Sequence, residues 1–442
     1  METNKYTHFD SLYPQDSRFE EIEKILSFIK AGMSVQLISL PGVGRSNVLG
    51  ILAYNHNVRV KHLGENQKWF HFVYLNLSEV KNRSLFDFNK FLFLSLADSL
   101  KERGMNNEHD RLHQIFKDHL EFNDEVVLFQ GLKEAVDFLA IEKELTVTFC
   151  FDQFETYIPS VTKEFFENLR VFRNRAKYRF STIFSLTRPL DVLIEESVFS
   201  PFSEFLNENQ VYLKLADSPG LPFRLSYLEK IIGKKIDKKI VEEIILVTAG
   251  HGRLTKLSEE IIIADKIKNK ISKEELIKLL LSKKTVNQAL IEIWDSLTPY
   301  EQGALVNKEE NEYLKNVGLL SSGKITIELL DHFVKEKDKD TKKDKFSFNN
   351  ETKEIKKGEQ VISDKLTSLE FKLLAFLINN KDRVTEREEI IKAVWSNIQS
   401  TAGVTDQAID QLVSRLRKKI EEDSNNPIYI QTIKGRGIKF LE

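Results

Sequence analysis

Apolar residues along this chain fall into two periods that take turns. In "RFEEIEKILSFIKAG" (residues 18–32), Ile22, Ile25, Leu26 and Ile29 recur at helical spacing and a glycine ends the run, which predicts an amphipathic helix with a C-cap. "SVQLISL" (34–40) follows, a short β-prone run of the kind buried in a parallel sheet. The turn "PGVG" and the run "RSNVLGILAYNHN" then complete a strand, glycine loop and helix. Further strands are expected in "WFHFVYLNL" (69–77), "LTVTFCFDQFE" (145–155) and "RFSTIFSLTRP" (179–189), and a largely buried helix in "LFDFNKFLFLSLADSLKERG" (85–104). Strands alternating with helices of this length predict a parallel sheet with crossovers.

The pattern changes near residue 216. "ADSPGLPF" is expected as a loop, and "IVEEIILVTAGHGRLTKLSEEIIIADKI" as helix with a glycine-rich break. "LIEIWDSLTPYEQGALVN" and the hairpin signal "GLLSSGKITI" outline a small winged helix. "KEKDKDTKKDK" (335–345) has no apolar residue and cannot bury itself, so it is expected as a linker. The expected segments are 1–215, an α/β domain with helices on both faces of a parallel sheet; 216–282, a helical lid; 283–335, a winged-helix-like element; 336–345, the linker; and 346–442, an α+β winged helix.

With 442 residues, 41% of them hydrophobic, the chain is long enough for several domains. Lysine and arginine number 65 and acids 67, so a nucleic-acid surface has to come from local clustering and not from overall charge. Cys150 stands alone, which excludes an internal disulfide and fits a reducing compartment. No apolar window is long enough for a membrane span, and the nine histidines, of which only His109 and His113 stand at H-x-x-x-H spacing, are not expected to form a metal site. A cytoplasmic protein without membrane association is expected.

The loop after the first strand carries candidate chemistry. A phosphate-binding loop turns backbone N–H groups inward at a helix N-terminus, with a cation over the phosphates and a hydroxyl for magnesium. Here Pro41, Gly42, Val43, Gly44, Arg45, Ser46 and Asn47 form the loop, with Arg45 where the pattern G-x-x-x-x-G-K-[ST] has lysine and Ser39 where it has its first glycine. Arginine keeps the charge but presents a broader, forked group. Asp152, ending an apolar strand, is the candidate second magnesium contact beside Ser46. ATP and Mg2+ are the expected ligands.

This half resembles the AAA+/STAND group of P-loop ATPases, including origin-recognition ATPases, over residues 15 to 335. "SLPGVGRSN" sits at Walker A, "FCFDQFE" at Walker B, "FSLTR" at the sensor strand and "AGHGRLTKL" in the lid. The resemblance implies sensor roles for Arg188 and Arg253. Where it expects a glutamate after the Walker B aspartate there is Gln153, with Glu155 two positions on, which together with Arg45 leaves hydrolysis open.

The last hundred residues carry the most specific signal. In "TDQAIDQLVSRLRKKI", Ala408, Ile409, Leu412, Val413, Leu416 and Ile420 form an apolar stripe, leaving Gln407, Gln411, Ser414, Arg415 and Lys418 on other faces. Side chains of these types read base edges and neutralise phosphates. Together with "LTSLEFKLL" and the hairpin "IYIQTIKGRGIKF", this segment resembles the OmpR/PhoB-type winged-helix DNA-binding domain over 346–442. The expected DNA contacts are Thr405, Gln407, Gln411, Ser414, Arg415, Arg417 and Lys418 on the helix, and Thr432, Lys434 and Arg436 at the wing. The combined expectation is a transcriptional regulator binding double-stranded DNA as two or more copies, with nucleotide state setting assembly. An active initiator or remodelling ATPase, and a nucleotide-free scaffold with a decayed loop, remain open.

Overall fold

The structure is a computed structural model. It describes residues 8–121, 123–206, 208–265, 271–358, 360–395, 405–421, 423–424, 427–433 and 436–441, with backbone only for 338–344. The chain divides into two compact units, Met1–Asp331 and His332–Glu442.

The first unit is organised by a parallel sheet of β1 (Val35–Ile38), β2 (Phe70–Asn76), β3 (Thr146–Asp152), β4 (Phe180–Leu186) and β5 (Gln210–Tyr212), in the order β2-β3-β4-β1-β5. Every residue of β1 and β4 is buried, because helices cover both faces and no position needs to be polar. Flanking helices are α1 (Phe19–Lys30), α2 (Arg45–Tyr54), α3 (His56–Leu63), α4 (Leu85–Glu102), α5 (Asn106–Leu120), α6 (Glu125–Asp137) and α7 (Lys163–Ala176), followed by single turns α8 (Leu190–Leu193) and α9 (Glu196–Phe199). Leaving β1, the chain crosses to the far edge at β2; leaving β4, it crosses the other way to β5. Connections that diverge from adjacent strands open a crevice at the strands' carboxyl ends. Phenylalanines fill the core on one side: Phe151 lies 5.2 Å from Phe184 and 5.8 Å from Phe165, ring centre to ring centre.

Beyond the sheet come α10 (Gly220–Ile232), α11 (Lys238–Thr248), α12 (Gly252–Ala264), α13 (Lys273–Leu281), α14 (Lys284–Asp295), α15 (Pro299–Asn307), α16 (Glu312–Asn316) and the hairpin β6 (Leu320–Ser321) and β7 (Lys324–Ile325). The expected loop "ADSPGLPF" is shorter than the sequence suggests, since α10 begins at Gly220, just after Pro219. The glycine-rich break is real: Ala249 and Gly250 both take positive φ between α11 and α12. A Cβ on Gly250 would lie 2.7 Å from that of Ala216, so the break also needs a bare backbone.

The charged run expected as a linker is helical: α17 spans Glu328–Asp344. Leu329, Leu330, Phe333 and Val334 bury its first turns. Once a helix is nucleated, each added residue closes one more backbone hydrogen bond and lysine is a good helix former, so a charged run can extend it without a buried face.

In the second unit, β8 (Phe346–Asn349), β9 (Glu354–Lys357) and β10 (Gln360–Val361) form an antiparallel sheet that the hydrophobic pattern does not announce, since Phe346 and Ile355 are its only buried residues. Then follow α18 (Ser368–Asn379), β11 (Val384–Thr385), α19 (Arg387–Val394), α20 (Asp406–Ile420), β12 (Ile430–Ile433) and β13 (Gly437–Phe440), the last sheet ordered β11-β13-β12. Leu373, Leu377, Ile390, Val394, Ile409, Leu412 and Leu416 share one core. A Cβ on Gly437 would stand 2.1 Å from the Thr385 carbonyl oxygen, which fixes glycine where β13 meets β11.

Glu259 on α12 is 3% exposed, and its Oε1 has no partner among the described residues. Burial pushes its carboxyl up to about 8. The native state therefore keeps a proton that the unfolded chain loses near pH 4.5, so this group's contribution to stability declines as pH rises from there to about 8. Glu259→Gln is expected to raise the melting temperature relative to wild type by more at pH 8 than at pH 5. An equal gain at both would contradict the burial argument.

Candidate functional site

Peptide geometry organises the loop between β1 and α2. Gly42 and Gly44 take φ of +79° and +117°, a region open to glycine. The Pro41 carbonyl accepts from His251 Nε2 at 2.9 Å, that of Gly42 from the Arg253 backbone N–H at 3.0 Å, and that of Val43 from the Arg18 guanidinium at 3.0 Å. In a trans peptide the N–H points opposite to the C=O it is bonded to, so tying these three carbonyls turns the amides of Gly42, Val43 and Gly44 the other way. Gly44 caps α2 without a side-chain bond, leaving the N–H groups of the first helical turn for an anion or water. Burial holds His251 down to about 4, so it is neutral at physiological pH. Its Nδ1 accepts from the Leu254 N–H, which leaves the proton on Nε2 for Pro41.

The cation expected over the phosphates is placed elsewhere. Arg45 donates to the carbonyls of Ser39 and Leu186, both at 2.6 Å, and lies 4.0 Å from Glu155. It thus ties the ends of β1 and β4 together, and what the loop itself offers is backbone amides, of which that of Val43 lies 3.5 Å from the Leu40 carbonyl. Ser46 is exposed, and Asn47 donates to the Tyr13 hydroxyl at 2.7 Å. Asp152 ends β3 as expected and is 1% exposed. Its Oδ2 accepts from the Tyr74 hydroxyl at 2.6 Å, while Oδ1 is buried with no partner among the described residues. An orphaned carboxylate oxygen suits a hard cation, and one carboxylate with a serine hydroxyl and waters is a usual magnesium set. These residues fit Mg2+ with a nucleotide. Gln153 is exposed in the left-handed region, and Glu155 accepts from the Thr187 N–H.

Both expected sensor arginines hold the α14–α15 corner. Arg188, 9% exposed, donates to Glu301 Oε1 at 2.9 Å and to the Ser296 carbonyl at 2.6 Å, and lies over the Tyr313 ring at 4.5 Å. Tyr313 in turn donates to the Thr187 carbonyl at 2.7 Å. The hydrogen bonds that Arg188 donates to Glu301 hold its proton more tightly than usual. The Arg253 side chain pairs with Glu292 on α14. Sequence reasoning missed these partners, as it missed Arg18, Tyr74 and His251. Glu301 alone left a local trace, the capping box Thr298-x-x-Glu301.

In the second unit, α20 exposes Gln407, Gln411, Ser414, Arg415 and Lys418, with Thr405 at its start, while Ile409, Leu412, Val413, Leu416 and Ile420 are buried. Arg417 differs from these. It donates to the Ile430 carbonyl at 2.7 Å and to Thr432 Oγ1 at 2.9 Å, so two expected DNA contacts are bonded to each other. Arg436 is exposed at the β12–β13 turn; Lys434 lies outside the described residues.

The family described as "Transcriptional regulatory protein, C terminal" matches residues 363–440, which hold α18, α19, the α20 face and the wing. The C-terminal unit carries a winged-helix DNA-binding domain of the OmpR/PhoB type. The alkaline phosphatase synthesis transcriptional regulatory protein PhoP of Bacillus subtilis is 44% identical to this winged helix over 77 residues, 17% of this chain and 31% of that protein. The chain thus spans about a third of the length of that relative. The DNA-binding domain of Bacillus subtilis CssR is 31% identical, covering 22% of this chain and 99% of that one, with a TM-score of 0.18. A Walker-type ATPase of Pyrococcus abyssi covers 74% of this chain and 97% of its own at 13% identity and a TM-score of 0.44. No helix among the described residues is long and apolar enough to cross a membrane.

Removing one partner of the Arg188–Glu301 pair leaves a charge in a nearly closed site. Glu301→Ala is expected to destabilise the protein by about 3–5 kcal/mol in urea denaturation, with Arg188→Met on the same background restoring part of the loss. A loss below about 1 kcal/mol would mean that the pair is hydrated like a surface bridge.

Proposed function

We propose that this protein is a nucleotide-controlled transcriptional regulator, in which ATP and Mg2+ bound at the β1–α2 loop set how copies of the OmpR/PhoB-type domain assemble on double-stranded DNA in the cytoplasm. The observation that carries the reading is the pairing in one chain of an amide-lined loop, with its orphaned Asp152 oxygen, and a helix presenting Gln407, Gln411 and Arg415 to solvent. Similarity to the transcriptional regulatory protein PhoP supports transcription as the output.

Hydrolysis is slow in this reading. Glu155 is bonded to the Thr187 N–H beside Arg45, and Gln153 has no basic oxygen to take a proton from water. Binding, and not turnover, then distinguishes the two states. One winged helix covers few base pairs, so useful affinity requires two or more copies on repeated half-sites.

The test is a titration of the full chain on a selected DNA site with ATP, with ADP and with neither. Affinity or stoichiometry is expected to change with the nucleotide, and three identical curves would refute the control. On that site Gln411→Ala or Arg415→Ala is expected to cost about 1–3 kcal/mol and relax base preference. Arg436→Ala should weaken specific and random DNA alike and reduce the salt slope by about one.

A further inference from the structure

Apart from the loop, the first unit contains a cavity of about 750 Å³ at the β2 edge of the sheet, between α2–α3, β2 and α4. That volume suits a small organic molecule. Arg59 and Arg103 both line it. One terminal nitrogen of Arg59 donates to the carbonyls of Leu52 at 2.9 Å and Ala53 at 2.7 Å, at the end of α2; its other nitrogens have no partner among the described residues. Arg103 donates through one terminal nitrogen to the Phe70 carbonyl at 2.8 Å and to His71 Nδ1 at 3.3 Å, and through the other to the carbonyls of Lys68 at 2.5 Å and Gln67 at 3.5 Å, neutral partners that leave its charge unpaired among the described residues. Because arginine can only donate, Nδ1 is the acceptor and His71 places its proton on Nε2, toward Ser99 Oγ at 2.9 Å.

Neither arginine forms an ion pair among the described residues, although Asp98 and Glu102 lie on the same wall. Glu102 faces His8 instead, at 3.2 Å. Burial lowers Arg59 to about 10, with the Arg103 charge adding to it, and burial also lowers Arg103. Burial and both arginine charges hold His71 at about 3, so it adds no third charge. Two partly desolvated cations that repel one another are unfavourable until an anion joins them. Part of the remaining wall is aromatic, with Tyr54, stacked on His8 at 3.6 Å, Phe72 and Tyr74; Ser95, Ser99 and Lys101 are among its polar residues.

We propose that this cavity is a binding site for a small organic anion with an aromatic body, its charged group between Arg59 and Arg103 and its ring against Tyr54, Phe72 and Tyr74. The cavity touches the loop site through Tyr74, whose hydroxyl is bonded to Asp152, but the proposal requires no nucleotide there.

The experiment is calorimetric titration of the full chain with phenyl phosphate, with inorganic phosphate and benzyl alcohol as partial probes. Phenyl phosphate is expected to bind once per chain and about tenfold or more tighter than either partial probe. Arg59→Gln should weaken it by about tenfold. Ser95→Trp, which fills the cavity from α4 and removes none of the arginine hydrogen bonds, should do the same, with thermal melting showing each variant folded. The absence of saturable binding overturns the proposal. So does binding that survives both substitutions, or binding lost in Gly42→Val and kept in Arg59→Gln and Ser95→Trp, which would put the anion at the loop.

Discussion

The first unit depends on the fixing of three successive peptide planes. The carbonyls of Pro41, Gly42 and Val43 are each bonded to a partner distant in sequence: His251, the Arg253 backbone and Arg18. That fixes the side from which the loop's amides can receive an anion, and it fixes the start of α12 on the loop. A Cβ on Gly42 would stand 2.8 Å from the Arg253 Cβ and 2.9 Å from the His251 ring, so the contact requires glycine for space as well as for φ. Because His251 is neutral and its tautomer is set by Leu254, the bond to Pro41 persists through the physiological pH range.

The three arginines expected at this loop are engaged with protein partners. Arg45 spans the ends of β1 and β4, Arg188 is closed on Glu301, and Arg253 is paired with Glu292. The two arginines that the resemblance assigns to phosphate sensing thus hold one small element, α14–α16 with its hairpin, against the end of β4 and the lid. In the proposed reading the loop's backbone amides and a buried aspartate hold the nucleotide, while Arg188 and Arg253 hold the neighbouring element. Such a site suits binding with two outcomes better than rapid turnover.

The elements with strong local periods were legible in the sequence. The strands at 69–77, 145–155 and 179–189, the helix at 18–30, and the α20 stripe all lie where their patterns place them, because burial on a sheet or on one helix face leaves a period in the apolar residues. So were the loop glycines and Asp152 at its strand end. The charged run 335–345, expected as a linker, continues α17 as far as Asp344, because lack of burial excludes a core but not the extension of a helix begun by Leu329 and Phe333. The partners of Arg188, Arg253 and Arg417 were beyond local reading. Arg188 and Glu301 are 113 positions apart, and no spacing rule connects them. Arg417 looked like its neighbours Arg415 and Lys418 until the fold turned it toward Ile430.

The claim on which the account rests is that the loop's backbone, with Asp152, is arranged to hold a magnesium nucleotide. Isothermal titration of the full chain with Mg·ATP tests it most directly, beside Gly42→Val and Asp152→Asn. The account predicts one nucleotide per chain, binding abolished by Gly42→Val, and a magnesium requirement weakened by Asp152→Asn. No measurable heat with the folded wild-type protein, or binding that Gly42→Val leaves unchanged, would contradict it.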